Sequence, residues 1–393
     1  MTIREELEKM ERETLSPYAT LSVNTKGRER EEEQCDVRPV FQRDRDRILH
    51  CKAFRRLKNK TQVFLTPKGD HYRTRLSHTL EVSQNARTIA KALRLNEDLV
   101  EAIALGHDMG HTPFGHAGER ILSSLYQEHT GRYFNHNVHS VRVLDDMVNW
   151  NISLQTLDGI LCHNGELELK EYRPCGMSTF VEYDKKVEAC YVDENAIGEL
   201  IPCTLEGCVM RICDIIAYLG KDRQDAMRLN LLKESPFTAG AIGTSNGEII
   251  NNFSVNIIEN SYGKDYLKMD EEYFDALRQA KKENYEMIYN NKSLNDLYEN
   301  EIRPMFGELY EELLRQAESG DKSSVFYRHH MAYMEKNNFY VKSHVRKPYA
   351  EQEKNQLVVD YLASMTDDYF IALYHYLFPK GKHDVKFVGY FDL

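Results

Sequence analysis

GHDMGHTPFGHAGE, residues 106–119, brings His107, Asp108, His111, His116 and Glu119 into one short stretch. Imidazole is a common ligand for first-row divalent metals, and a carboxylate adds charge that neutralises the ion. Consecutive residues on a regular helix point about 100° apart. His107 and Asp108 can therefore share one ion only where a helix stops or bends, and the flanking Gly106 and Gly110 permit that break. Upstream, Asn96 reads as an N-cap, and Glu97 and Asp98 as an acidic first turn. Leu99, Val100, Ile103 and Ala104 then repeat at helical spacing. The pattern predicts a buried helix that ends on the His-Asp pair.

Further ligands must come from other elements. His78, within RTRLSHTLE, falls on a predicted preceding helix. Asp214, within VMRICDIIAY, sits on an apolar helix, where an unpartnered carboxylate is costly. Either residue alone is as readily a core histidine or an ion-pair partner. The four in this order point to a metal site.

The chain has 393 residues and a formal net charge of −11, which argues against general affinity for duplex nucleic acid. Residues 43–75 run the other way, with eleven Lys or Arg against three Asp. That run leads into the His78 segment and suggests a local anion site. Arg75 stands three positions before His78, on the same helix face. Arg43, Arg45 and Arg47 alternate with acids as RDRDR and read as a self-compensated surface. The eight cysteines form no CxxC pair, so reduced thiols are expected rather than a cysteine zinc site. No apolar run has membrane-spanning length, and the N-terminus is charged. A cytoplasmic location is the expectation.

The periodicity predicts an all-α protein. Helices are expected at about 47–62, 73–94, 97–106, 137–148, 152–162 and 204–230, and again within 270–318 and 352–378. A short first helix precedes an irregular lead-in. Residues 164–203, with Pro174, Gly176, Gly198 and Pro202, read as a long connection carrying short helices. Residues 235–262, with Gly240, Gly243 and Gly247, allow one small β-hairpin. The division expected is a lead-in over 1–42, a catalytic domain over 43–234 and a helical C-terminal lobe over 235–393.

The ordered set H…HD…D, with HDMGHTPFGHAGE, resembles the HD-domain phosphohydrolases. Within them it is most similar to the dGTPase-like deoxynucleoside triphosphate triphosphohydrolases. The likeness extends through FRRLKNKTQVF (54–64), GDHYRTRLSHTLEVSQNARTIA (69–90), FNHNVHSVRVLD (134–145), TLEGCVMRICDIIAYLGKDRQDA (204–226) and YLASMTDDYF (361–370). It implies an HD-domain helical core that hydrolyses a dNTP, dGTP favoured, to the deoxynucleoside and intact triphosphate. Another HD phosphohydrolase, such as a nucleotidase or cyclic-nucleotide phosphodiesterase, and a nucleotide-binding regulator are the alternatives.

The same resemblance assigns roles. His78, His107, Asp108 and Asp214 would hold a divalent metal, for which Mn, Mg, Fe, Ni and Zn all suit a mixed His/carboxylate set. His116 would be the catalytic histidine, oriented by Glu119. His111 and His136 would reach the phosphates, as would Arg75, with Arg56 and Lys60 as further candidates. Gln62, Tyr218 and Asp222 would select the deoxyribose, and Tyr369 would support the site. Similar enzymes form symmetric homo-oligomers, some with regulatory nucleotide sites between subunits. The chain departs from the family at Lys221, where a histidine is usual, and across 164–203 apart from HNG at 163–165.

Overall fold

Asn96 caps a helix as expected: its side chain accepts from the Leu99 N–H at 3.2 Å, and the helix α5 (Glu97–Gly106) follows. This is a computed structural model, and it describes residues 1–65, 72–164, 168–229, 231–232, 237–338 and 348–385. The proposed domain division near residue 235 and Gly165 of the HNG match lie outside the described residues.

The N-terminal part holds α1 (Ile3–Thr14), α2 (Val40–His50), the short α3 (Lys52–Arg56) and α4 (Arg75–Leu93) before α5. After α5 come α6 (Gly115–Thr130), α7 (His136–Arg142), α8 (Leu154–Leu161), α9 (Phe180–Val192) and α10 (Leu205–Arg228). The remainder is α11 (Asn246–Ser261), α12 (Glu271–Asn284), α13 (Lys292–Leu297), α14 (Arg303–Ser319), α15 (Ala332–Asn338), α16 (Lys354–Ser364) and α17 (Asp367–Leu377). The fold is all-α.

A two-stranded antiparallel pair joins β1 (Glu171–Tyr172) to β2 (Leu267–Lys268). Among the described residues of 235–262 no hairpin forms where the glycines suggested one. Ser245 and Glu248 instead make a reciprocal capping box that starts α11. Residues 164–203 likewise differ from the expectation of short helices only. They include α9, a helix of 13 residues capped by Thr179 and Glu182.

Helix α5 packs against α2, α4, α8 and α10, and α10 also packs on α4, α8, α11 and α12. Along α10, Val209, Met210, Ile212, Ile215, Ile216 and Leu219 are all buried. Each such side chain contributes about 1.5–3 kcal/mol on burial, and together they fix the position of Asp214. Glycine sets how closely α5 and α8 approach. A Cβ on Gly159 would lie 2.3 Å from Ile103 Cδ1, and one on Gly106 would lie 2.3 Å from Ile160 Cδ1. This close crossing brings the C-terminal ends of both helices, at His107 and His163, to one point.

The lead-in is bolted to this core. Buried Glu206 accepts from Thr20 N (2.9 Å), Thr20 Oγ1 (2.8 Å) and Asn96 N (3.1 Å). The RDRDR run is self-compensated only at Arg45 and Asp46, 3.3 Å apart, and otherwise pairs outside itself. Asp44 is wholly buried and pairs with Arg28, Ser153 and Thr156, while Arg45 reaches Asp98 and Arg47 reaches Glu32. These side chains join the lead-in, α5 and α8 instead of covering a surface.

Candidate active site

Thr74 caps α4 and so places Arg75 and His78 in its first turn. Helix α5 stops at Gly106, and the chain tightens into turns, with Met109 N donating to Gly106 O and His111 N to Asp108 O. Gly110 is required here, because a Cβ would stand 2.1 Å from Ser140 N and 2.4 Å from the His139 carbonyl carbon. The next turn is held in an uncommon backbone state. Phe114 (φ 62°) and Gly115 (φ 58°) are both left-handed. Asp367 accepts from Phe114 N at 2.9 Å, and the ring packs on Phe306 and Phe370. Helix α6 then presents His116 and Glu119.

Three of the four expected ligands, His78, His107 and Asp214, lie within ligand distance of one another, and Asp108 stands beside His107. His78 Nε2 lies 2.9 Å from Asp214 Oδ1, His107 Nε2 lies 3.4 Å from Asp108 Oδ2, and His107 Nε2 lies 3.8 Å from Asp214 Oδ1. Two ligands at right angles on bonds of about 2.1 Å are about 3.0 Å apart, so these separations suit one divalent ion. The tautomers agree. His107 Nδ1 donates to Ala104 O at 2.7 Å, which leaves Nε2 as a lone pair, and that atom is buried without a partner. Burial pushes the Asp214 carboxyl up, but the His78 hydrogen bond and the facing imidazoles outweigh it and hold it at about 2. Burial likewise disfavours charge on His107, yet Asp108 and Asp214 draw it up to about 9. The two carboxylates thus demand positive charge at this point, which protons or a metal can supply.

Beside the cage, Arg75 is 1% exposed and donates from Nη1 to Asp108 Oδ2 at 2.8 Å. Its Nε and Nη2 are buried with no protein partner. Glu119 holds two histidines: it accepts from His116 Nδ1 at 3.2 Å and from His136 Nδ1 at 2.8 Å, and also from the His136 N–H at 2.7 Å. Burial raises the Glu119 carboxyl, but the His136 charge and these hydrogen bonds win and hold it well below the carboxylate range. His111 stacks on His136 with centroids 4.0 Å apart, and neither of its ring nitrogens has a partner. Burial first, and then the Arg75 guanidinium, hold His111 well below the ordinary imidazole range.

Apart from His107, these groups line one cavity of about 940 Å³, near the upper end of the range for small-molecule sites. Gln62, Tyr218 and Tyr285 line it as well. Other expected residues lie elsewhere. Lys60 is buried, and its Nζ binds the His111 and Ala363 carbonyls. Burial, with Arg56 and Arg75 nearby, lowers it to about 7; its two carbonyl contacts staple backbone, and it is not among the cavity-lining residues. Arg56 donates to Ser364 O at 3.1 Å and lies over the Tyr333 ring. Asp222 is buried between Arg73 and the Tyr289 hydroxyl. Lys221 approaches Glu81 at 4.0 Å. Tyr369 bonds His329 and Tyr361.

His163 was not among the expected site residues. It lines the cavity, with its Nε2 3.0 Å from His136 Nε2 and its ring 5.0 Å from that of His107. The HNG match at 163–165 was the signal that pointed to it.

Family comparison agrees with the geometry. An HD domain matches residues 75–219, and a phosphohydrolase-associated domain matches residues 267–376. A deoxyguanosinetriphosphate triphosphohydrolase-like protein of Caldanaerobacter subterraneus is 39% identical over 386 residues, covering 96% of each chain. The chain is an HD phosphohydrolase of the deoxyguanosinetriphosphate triphosphohydrolase-like family. Proteins of the same name from Desulfatibacillum aliphaticivorans and Clostridium tetani are 37% and 35% identical over 96% and 97% of this chain. Membership makes it a hydrolase, and the His/Asp clusters can hold the divalent metal that HD domains bind. Among the described residues no helix is long and apolar enough to cross a membrane.

Proposed function

We propose that this phosphohydrolase cleaves a deoxynucleoside triphosphate, dGTP favoured, to the deoxynucleoside and inorganic triphosphate. The observation that carries the reading is Arg75, a cavity-lining guanidinium buried against the metal cage with two nitrogens that have no protein partner. A guanidinium that spends one nitrogen on Asp108 and keeps two for a ligand suits a phosphate, which accepts paired hydrogen bonds.

The cage residues His78, His107, Asp108 and Asp214 would hold the metal, which when bound supplies Lewis-acid stabilisation of charge at the α-phosphate. This chain's own groups do the rest. Arg75 neutralises and orients the phosphate tail. Neutral His111, its ring stacked and immobile, donates without adding charge of its own. His116, set by Glu119 through Nδ1, exchanges a proton at Nε2 as water adds at phosphorus and the bond to the 5′ oxygen breaks. One water is consumed, and its hydrogens end on the deoxynucleoside hydroxyl and the triphosphate. Tyr218, one helical turn beyond Asp214 on α10, would pack on the sugar where a 2′-hydroxyl would otherwise sit. Asp222 would need to leave Arg73 to reach a 3′-hydroxyl.

The test is incubation of the full chain with each dNTP, singly and mixed, with Mn²⁺ or Mg²⁺, and separation of the products. Triphosphate and deoxynucleoside in equal amounts are expected, and the mixtures also report any activating nucleotide. Orthophosphate as the first product would instead mark a nucleotidase. Binding with no turnover would mark a regulator.

A further inference from the structure

A second cavity, of about 220 Å³, lies between α7 and α9, away from the metal cage. Two polar side chains that line it have no partner. Tyr183 is 3% exposed, and its hydroxyl is buried without a hydrogen bond. Asp145, half-buried, makes no side-chain hydrogen bond and no ion pair among the described residues. Buried polar groups are almost always paired, so such exceptions call for an explanation. Asp145 and Asp146 also occupy a π-helical turn, Val143–Met147, that continues α7, and turns of this kind are frequent at functional sites.

Carboxylates outnumber cations here. Glu29, Asp145, Asp146 and Asp184 line the cavity against Arg30 and Arg142. Arg142 is committed to Asp360, at 2.7 Å to each oxygen, and to Asp146 at 3.1 Å, while Arg30 bonds the side chain and carbonyl of Asn149. Loss of water, and then the Asp146 charge, push the Asp145 carboxyl up to about 8 against the pull of Arg30. The site therefore calls for a positive ligand. No three of the carboxylates come within 4.8 Å of one another, so they form no cage for a bare metal ion. The volume is below that of pockets for drug-sized ligands, which excludes a nucleotide, and the acids would repel its phosphates. Val138, Val141, Phe180 and Tyr191 add apolar and aromatic surface, and aromatic faces attract an ammonium.

We infer that this cavity binds a small aliphatic amine, its ammonium donating to the Asp145 carboxylate and to the Tyr183 oxygen. An ammonium has three hydrogens to give and needs no acceptor in return. Glu29, Asp146 and Asp184 are the exposed acids of the lining, and they favour a second charge on the same chain, as in a linear diamine. The amine sits behind the catalytic wall without touching substrate. Helix α7 begins at His136, and Tyr191 of α9 accepts from the Tyr133 N–H at 2.9 Å, with His136 and Tyr133 both lining the active-site cavity.

The experiment is isothermal titration of the full chain with 1,4-diaminobutane, and with n-butylamine and Mg²⁺ as further probes. The wild type should take up one diamine per chain and bind n-butylamine more weakly. Asp145→Asn keeps the shape and removes the charge, and should weaken the diamine about 10-fold or more; Tyr183→Phe should weaken it about 2- to 12-fold. Circular dichroism should be unchanged in both. Tyr183→Phe removes one atom only, and decides the question should Asp145→Asn fail to fold. An absence of saturable binding would overturn the site, as would equal affinity in the wild type and both variants. Equal affinity for n-butylamine would overturn the role of the exposed acids. Tighter binding of Mg²⁺ in competition with the diamine would overturn the ligand class in favour of a hydrated metal. The titration does not involve turnover, so it can fail while the dNTP product assay succeeds, and the reverse.

Discussion

Glu119→Gln changes one atom and separates the two histidines that this carboxylate serves. In the native site Oε1 takes the His136 N–H and Nδ1, while Oε2 takes His116 Nδ1. An amide has one acceptor. Its best placement keeps oxygen toward the two His136 donors and turns –NH₂ toward His116 Nδ1, where donor would face donor. His116 then loses its orienting bond and the negative charge that supports its protonated form. A hydrogen bond to a charged group contributes about 1.5–3 kcal/mol, and 1.4 kcal/mol is about tenfold in rate. The expected loss in kcat is therefore about 10- to 150-fold.

Because Glu119 touches imidazoles and not the substrate, KM should move by less than about 3-fold. The acidic limb of the kcat profile should shift to lower pH, since the histidine holds its proton less well without the carboxylate. The fold itself has a linked signature. Glu119 is depressed in the folded chain, so its contribution to stability is full above the unfolded value of about 4.3 and falls away as pH drops. The melting temperatures of wild type and variant should thus differ at pH 7 and converge below about pH 4. Steady-state kinetics with triphosphate detection and thermal melts across pH 2–8 make the measurement. A variant with kcat within about 3-fold of wild type and an unmoved pH profile would refute the positioning role.

Three further outcomes are expected. Arg75→Lys keeps the charge but cannot hold Asp108 and a phosphate at once, so kcat/KM should fall about 10- to 150-fold by loss of one charge-assisted bond; an unchanged kcat/KM would remove Arg75 from the phosphate site. Gly110→Ala drives a Cβ into the backbone of α7, and should cost about 1–3 kcal/mol or more, read as a lowered Tm with weakened metal binding; a native Tm would contradict the close approach. Asp360 is held at about 2: burial raises it, but Arg142, bonded at 2.7 Å to each oxygen, lowers it further. Its stabilisation, on the order of 2–3 kcal/mol, should be full above about pH 5 and lost as pH falls through about 2; Asp360→Asn should abolish that part of the acid transition, and an unaltered transition would refute the assignment.

The helices that carry the site were legible because their signals are local. Asn96 with two acids and an apolar stripe defined α5, and the glycines beside His107-Asp108 ended it. Helix α9 reads only as part of a connection carrying short helices, yet Phe180, Tyr183, Val187 and Cys190 repeat at helical spacing behind the Thr179–Glu182 capping box. The glycines before α11 suggested a hairpin, although Ser245 and Glu248 had the spacing of a capping box. The β pair that does form joins two dipeptides nearly a hundred residues apart, and nothing local announces it.

Charge was harder to place than apolar periodicity, for a physical reason. A hydrophobic residue at helical spacing has one destination, the core. An arginine, lysine or aspartate can face solvent, a ligand or a distant partner, and the sequence does not say which. Asp44 looked like half of a surface alternation, yet its partners are Arg28, Ser153 and Thr156. Lys60 and Arg56 looked like phosphate groups, yet they bind the carbonyls of Ala363 and Ser364 in α16. His163 is the opposite case. Just past an apolar helix, after Cys162, it reads as core, and it is 1% exposed. Its chemistry depends on which nitrogen holds the proton, which Ile160 O near the end of α8 fixes, and on the close crossing of α5 and α8. Gly106 and Gly159 permit that crossing, so the residues that bring His163 to the metal cage are two glycines with no chemistry of their own.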